Sequence, residues 1–167
     1  AFMWSHPGKQ LLFMGSEFGQ QSEWSQERGL EWWILDQPSH RGLQSLVSML
    51  NKLYVENASL WQLDHEHRGF VWIDGGNADD NVLSFLRFDE NDNPIAVVIN
   101  FAGHPHHNFR LGLPKSGTWT EILNTDAIEF GGSGVGNFGA IKANDAGSHG
   151  QPHSAVISVP PLGAVWF

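Results

Sequence analysis

The sequence has no cysteine. That excludes a disulfide framework and a thiolate zinc site, and it suits a reducing compartment, so a cytoplasmic protein is expected. Positive charge is scarce: nine Lys and Arg stand against eighteen Asp and Glu, a formal net charge of −9 at pH 7. Nucleic acid and anionic membrane surfaces both demand clustered Lys and Arg, so neither is an expected partner. A neutral ligand such as a sugar is compatible. No apolar stretch approaches the ~18 residues needed to span a bilayer. The opening Ala1-Phe2-Met3-Trp4 has no basic segment and is broken early by Pro7-Gly8, so it is unlike a signal peptide. An opening of that kind is expected of a fragment. What the chain does hold is a core: 41% of its 167 residues are hydrophobic, with eleven Phe and eight Trp. The length predicts one domain, two at most.

The pattern changes once, near residue 60. Before it, Leu11-Leu12-Phe13-Met14 ends at Gly15 and predicts a buried strand. An irregular stretch follows, Ser16 to Ser39. A helix is then expected from about His40 to Asn57, because Leu43, Leu46, Val47, Leu50, Leu53 and Tyr54 share one face at a 3.6-residue period, with Ser39 as its N-cap. After residue 60 the period becomes two. Strands are predicted near 69–74, 82–88, 95–101, 108–111, 118–123, 155–159 and 164–167. Short strands separated by turn residues at about ten-residue spacing predict an antiparallel β-sandwich. The strand, loop and helix before it have the layout of one unit of a parallel (β/α)8 barrel. The fold class is therefore mainly β, a C-terminal antiparallel sandwich preceded by a barrel's last strand, loop and helix.

Gly134-Val135-Gly136-Asn137-Phe138-Gly139 matches the dinucleotide pattern G-x-G-x-x-G, but no helix period follows it. It is expected to be a long connection in a β domain, within a Gly-rich loop from Gly131 to Gly150. His104, His106 and His107 predict a solvated turn, since no carboxylate stands at a useful spacing for a metal. No metal or cofactor is expected. Trp72, Trp119 and Trp166 are assigned to the core, and Asp79, Asp80, Asp89, Glu90 and Asp92 to solvent-facing turns. The irregular stretch brings Glu17, Glu23, Glu27, Glu31 and Asp36 together with Trp24, Trp32 and Trp33. Two readings of it stand. Indole faces stack on the apolar faces of sugars and carboxylates bind hydroxyls, which makes a sugar cleft. The other reading is a packed loop with buried Trp. Position supports the cleft, because barrel active sites lie on the loops after the strands.

The run Pro7-Gly8-Lys9-Gln10-Leu11-Leu12-Phe13-Met14-Gly15-Ser16-Glu17-Phe18-Gly19-Gln20 resembles the eighth-strand segment of bacterial 1,4-α-glucan (glycogen) branching enzymes of the α-amylase superfamily. The likeness continues through Glu23-Trp24, Leu30-Glu31-Trp32, Gly69-Phe70-Val71-Trp72-Ile73, Glu121-Ile122-Leu123-Asn124-Thr125-Asp126, Pro152-His153-Ser154 and Pro160-Pro161-Leu162. The resemblance implies an enzyme that cuts an α-1,4-glucan and transfers the segment to a 6-hydroxyl, by retaining chemistry. It implies residues 1–59 as the end of the catalytic barrel and 60–167 as the sandwich domain, with the upstream barrel of the same polypeptide and α-glucan as partners. The family's catalytic carboxylates follow the fourth, fifth and seventh barrel strands. No position here matches them, so no catalytic residue is assigned and the fragment alone is expected to be inactive. Glu17, Trp24 and Trp32 match family positions on the loop bordering the cleft, with roles in loop order and in lining the substrate groove. The loop departs from the family pattern in two places: Ser25-Gln26-Glu27 replaces Asn-His-Asp, and Glu31 replaces a common Asp. The competing expectations are a stand-alone glucan-binding module and a debranching or trehalose-forming relative.

Overall fold

The computed structural model describes residues 1–167. Two helices come first, a single turn α1 (Phe2–Ser5) and the long α2 (Pro38–Glu56). Nine strands follow: β1 (Phe70–Asp74), β2 (Val82–Phe88), β3 (Pro94–Asn100), β4 (His106–Leu113), β5 (Gly117–Thr120), β6 (Leu123–Asn124), β7 (Ala140–Ala143), β8 (His153–Val159) and β9 (Ala164–Trp166). One sheet has the order β1-β2-β3-β9-β6. The other layer consists of two antiparallel pairs, β4-β8 and β5-β7, joined where Asn144 and Ser154 exchange backbone hydrogen bonds at 2.9 and 3.2 Å.

Strand alternation explains the layers. On β3, Ala96 and Val98 point between the two sheets, while Ile95, Val97 and Ile99 point the other way. Both faces of the five-stranded sheet are thus apolar, so both must be covered. The second sheet covers one, with Leu111, Leu113, Trp119, Ile141 and Ile157. Helix α2 covers the other through Val47, Leu50 and Leu53, with Leu43, Leu46 and Tyr54 at the margin. That is the helix face predicted from its period. The antiparallel sandwich is as expected, but it carries a third, helical layer.

Several expectations need correction. Leu11–Gly15 is not a strand: it runs as irregular chain into a turn, with Leu11 79% and Phe13 56% exposed. A buried parallel strand needs neighbours on both sides, and none of the nine strands pairs with this segment. Ser39 is not the N-cap of α2; Gln37 is, with Pro38 in the first turn. Proline suits that place because its missing N–H would have had no partner there. Strand β7 lies inside the stretch assigned to a Gly-rich loop. His106 and His107 open β4 rather than forming a turn. Trp72 is 47% exposed because β1 is an edge strand whose register breaks at that residue. Asp89 is buried: its carboxylate accepts the amides of Asn91 and Asn93 at 2.9 and 2.8 Å and pins the β2–β3 turn. The other two assignments to the core hold, with Trp119 and Trp166 both buried.

The glycine-rich segment is a connection, as expected. Asp126 ties it down, accepting from the Ser133 amide (2.8 Å), the Ser133 hydroxyl (2.6 Å) and the Val135 amide (3.0 Å). Desolvation, the largest influence, raises the pKa of Asp126, but these hydrogen bonds outweigh it and hold the carboxyl below its usual range.

The same segment meets α2 at Gly42. A Cβ there would sit 2.4 Å from the Phe130 carbonyl oxygen. Alanine gains about 1 kcal/mol of helix propensity over glycine, but overpacking against backbone costs about 1–3 kcal/mol. Gly42→Ala is therefore expected to destabilise by up to about 2 kcal/mol, seen as a lower urea midpoint at unchanged m-value. A raised midpoint would mean that the Phe130 turn yields freely.

Candidate functional site

The segment from Leu12 to Asp36 has no strand and only short 3-10 turns, at Ser16–Phe18 and Trp32–Asp36. Its shape comes from two glycines and a set of side-chain hydrogen bonds. Gly15 and Gly19 take left-handed backbone (φ 83° and 70°) and bracket the first turn. A side chain at Gly15 would collide with Gln20, whose Cβ lies 2.7 Å from the ideal Cβ position. Phe18 is fully buried, and His40 of α2 meets its carbonyl oxygen at 2.8 Å through Nδ1.

One carboxylate closes the loop that follows. Glu31 Oε2 accepts the backbone amides of Gln21 and Ser22, each at 3.2 Å, and Oε1 accepts the Ser22 hydroxyl. In return the Glu31 amide donates to Gln20 Oε1 at 3.2 Å, and Gln20 Nε2 donates to the Ser22 carbonyl at 3.3 Å. The Ser22 hydroxyl above all, then the two amides and Arg28, hold the Glu31 carboxyl below the usual carboxylate range, against an opposing desolvation. Because the folded value is depressed, this clamp is complete above the ordinary Glu pKa. It is lost only as pH falls through the depressed value.

The indoles lie outside this clamp. Trp24 and Trp32 are each 55% exposed and Trp33 66%, so the reading of a packed loop with buried Trp does not hold. Trp24 meets Phe13 edge-on at 5.9 Å, and Trp32 leans on buried Phe18 at 4.9 Å. Glu17 lies elsewhere. It lines an open groove of about 1020 Å³ between the 12–17 segment and α2, with Val47 and Met49 on the helix side and Phe130 beyond. Neither Trp24 nor Trp32 borders that groove. Of the three residues named from the sequence, only Glu17 borders that groove. Glu31, Ser22 and Gln20 were missed as a unit because their partners lie nine to eleven positions apart, which no local pattern reveals.

No group of three or more His, Asp or Glu is placed to hold a metal ion, and no helix is long and apolar enough to cross a membrane. His104 and His106 face each other at 4.9 Å, and His106 meets the Asp80 carbonyl at 2.9 Å, which is a surface contact.

By architecture this is an all-β sandwich domain with a helix and a Trp-bearing loop on its outer face. The α-amylase C-terminal all-beta domain family matches residues 72–167, more than half of the chain, and the chain belongs to that family. Similarity extends over its full length. The 1,4-alpha-glucan branching enzyme GlgB of Leifsonia xyli subsp. xyli is 60% identical over 100% of this chain and 23% of that protein. The GlgB of Rhodococcus jostii is 54% identical, again over 100% and 23%. That of a Mycobacterium species is 49% identical over 100% and 22%. The chain thus spans less than a quarter of the curated relatives it matches. The resemblance read from the sequence motifs is borne out along the whole chain.

Proposed function

We propose that this chain is the C-terminal part of a 1,4-α-glucan branching enzyme. The whole enzyme would cleave α-1,4-glucan and transfer the segment to a 6-hydroxyl, making α-1,6 branches in cytoplasmic glycogen synthesis. One observation carries the reading: identity of 49–60% over the entire chain to proteins bearing that name. In this reading residues 1–59 complete the catalytic barrel of the same polypeptide, and 60–167 form the sandwich beside it. The exposed Leu11–Met14 strip would then be covered by barrel strands lying upstream. Trp24 and Trp32 line the glucan groove, with indole faces free to stack on glucose rings. Glu17 orders the adjoining loop. The catalytic carboxylates come from the barrel, and this chain supplies none.

The test compares the parent enzyme with the isolated 167-residue chain on amylose. The parent is expected to generate new α-1,6 linkages by NMR and to reduce iodine staining; the isolated chain is expected to do neither. New α-1,6 bonds from the chain alone, or a parent that only hydrolyses, would overturn the reading.

A further inference from the structure

Within this chain the Trp24 indole is 55% exposed and meets one ring, that of Phe13, edge-on at 5.9 Å. The segment between Gly19 and Trp32 has no regular hydrogen-bond ladder of its own. What fixes this stretch is the Glu31 carboxylate, which gathers three donors from Gln21 and Ser22 just before the indole. Residue 31 also leads directly into the 3-10 turn of Trp32, so one side chain ties together both ends of the indole-bearing loop.

We propose that Glu31 is a positioning residue: it fixes the seat of Trp24 and thereby sets how tightly the α-glucan chain is held. The inference deepens the functional reading above and rests on it for the identity of the ligand.

The chemistry of the clamp is particular to a carboxylate. Both oxygens accept, one from two backbone amides and the other from a hydroxyl. A glutamine has one acceptor oxygen, and its NH2 would face donors instead. Aspartate keeps both acceptors but withdraws them by about one carbon–carbon bond, ~1.5 Å, too far to reach both Gln21 and Ser22 without moving the loop.

The experiment uses the full-length parent with amylose as substrate. Glu31→Gln is expected to raise KM by about three- to tenfold, the factor that corresponds to losing one pre-ordered side chain, while kcat stays within about twofold. Ser22→Ala removes one donor of the three and is expected to act in the same direction with a smaller effect. In protein labelled with 5-fluorotryptophan, the Trp24 resonance is expected to shift or broaden in Glu31→Gln, while that of buried Trp166 stays in place. Trp24→Ala is expected to raise KM by itself, and adding Glu31→Gln to it is expected to raise KM no further, since the carboxylate acts through the indole. If Trp24→Ala raises KM but Glu31→Gln leaves both KM and the Trp24 resonance unchanged, the positioning role is overturned. If Trp24→Ala leaves KM unchanged, the glucan-groove assignment of Trp24 fails instead, and the consequence for KM fails with it.

Discussion

Arg87→Ala is expected to cost about 3–5 kcal/mol of folding stability, toward the lower end of that range. The residue sits mid-sheet on β2 with no exposed surface, on the face that α2 covers. Its guanidinium pairs with Asp64 and donates to the carbonyls of Ser5 and Gly69. Asp64 also accepts the Gly8 amide at 3.3 Å. One buried cation therefore ties α1, the chain after it and the turn before β1 to the sheet. Burial pushes the guanidinium pKa down and Asp64 pulls it back up; an arginine remains charged in either case. Removing it leaves two carbonyls and a carboxylate without their donor, the costly direction for a buried pair. The lower end is expected because the Asp64 side chain keeps 21% exposure and can recruit water. Arg87→Met preserves most of the stem volume, so it separates packing from charge. It is expected to lose nearly as much as alanine, by urea unfolding at pH 7. A loss below about 1 kcal/mol for both would show that the network is worth no more than a surface ion pair.

This network also shows where the sequence was legible and where it was not. Strands with clean alternation announced themselves: β2 is the predicted span, and the α2 face from Leu43 to Tyr54 follows its period. These signals are local, because period and side-chain direction are set within a few residues. What escaped was non-local. Arg87, next to the last residue of β2, gives no hint that Ser5, 82 positions away, accepts from it. Strand β7 is short and lies among glycines, so alternation had only Ile141 and Ala143 to mark it. The strand expected at Leu11–Gly15 failed for the complementary reason. Its apolar run is a real local signal, but a parallel strand exists only with partners, and this chain holds none.

The candidate site divides in the same way. The indoles were legible because Trp is rare and its clustering with acids is visible in the sequence. Their exposure was not legible, nor was the role of Glu31, because both depend on how a loop without periodicity closes on itself. Glu17 lies in the 3-10 turn Ser16–Phe18 and lines the groove against α2, which neither Trp24 nor Trp32 borders.

Trp166→Ala is expected to cost about 3–5 kcal/mol, the range for deleting a large buried aromatic. Trp166 is fully buried on β9, paired in register with Val97 on one side and Leu123 on the other. Its ring belongs to the cluster that seats α2, with Trp4, Leu50 and Leu53. The loss should therefore appear in the helix as well as the sheet, as faster amide exchange along α2. Trp166→Phe provides the sharper contrast. The indole Nε1 is buried without a hydrogen-bond partner, and an unmet buried donor costs about 1–3 kcal/mol. Phenylalanine removes that donor while giving up only part of the ring, a transfer loss of roughly 1–2 kcal/mol. The two terms oppose and are of similar size, so Trp166→Phe is expected to lie within about 1 kcal/mol of the parent. If it falls as far as the alanine variant, the indole's shape rather than its apolar area is what seats the helix. The unpaired N–H then costs little, because the sheet and helix fit around that ring and no smaller one.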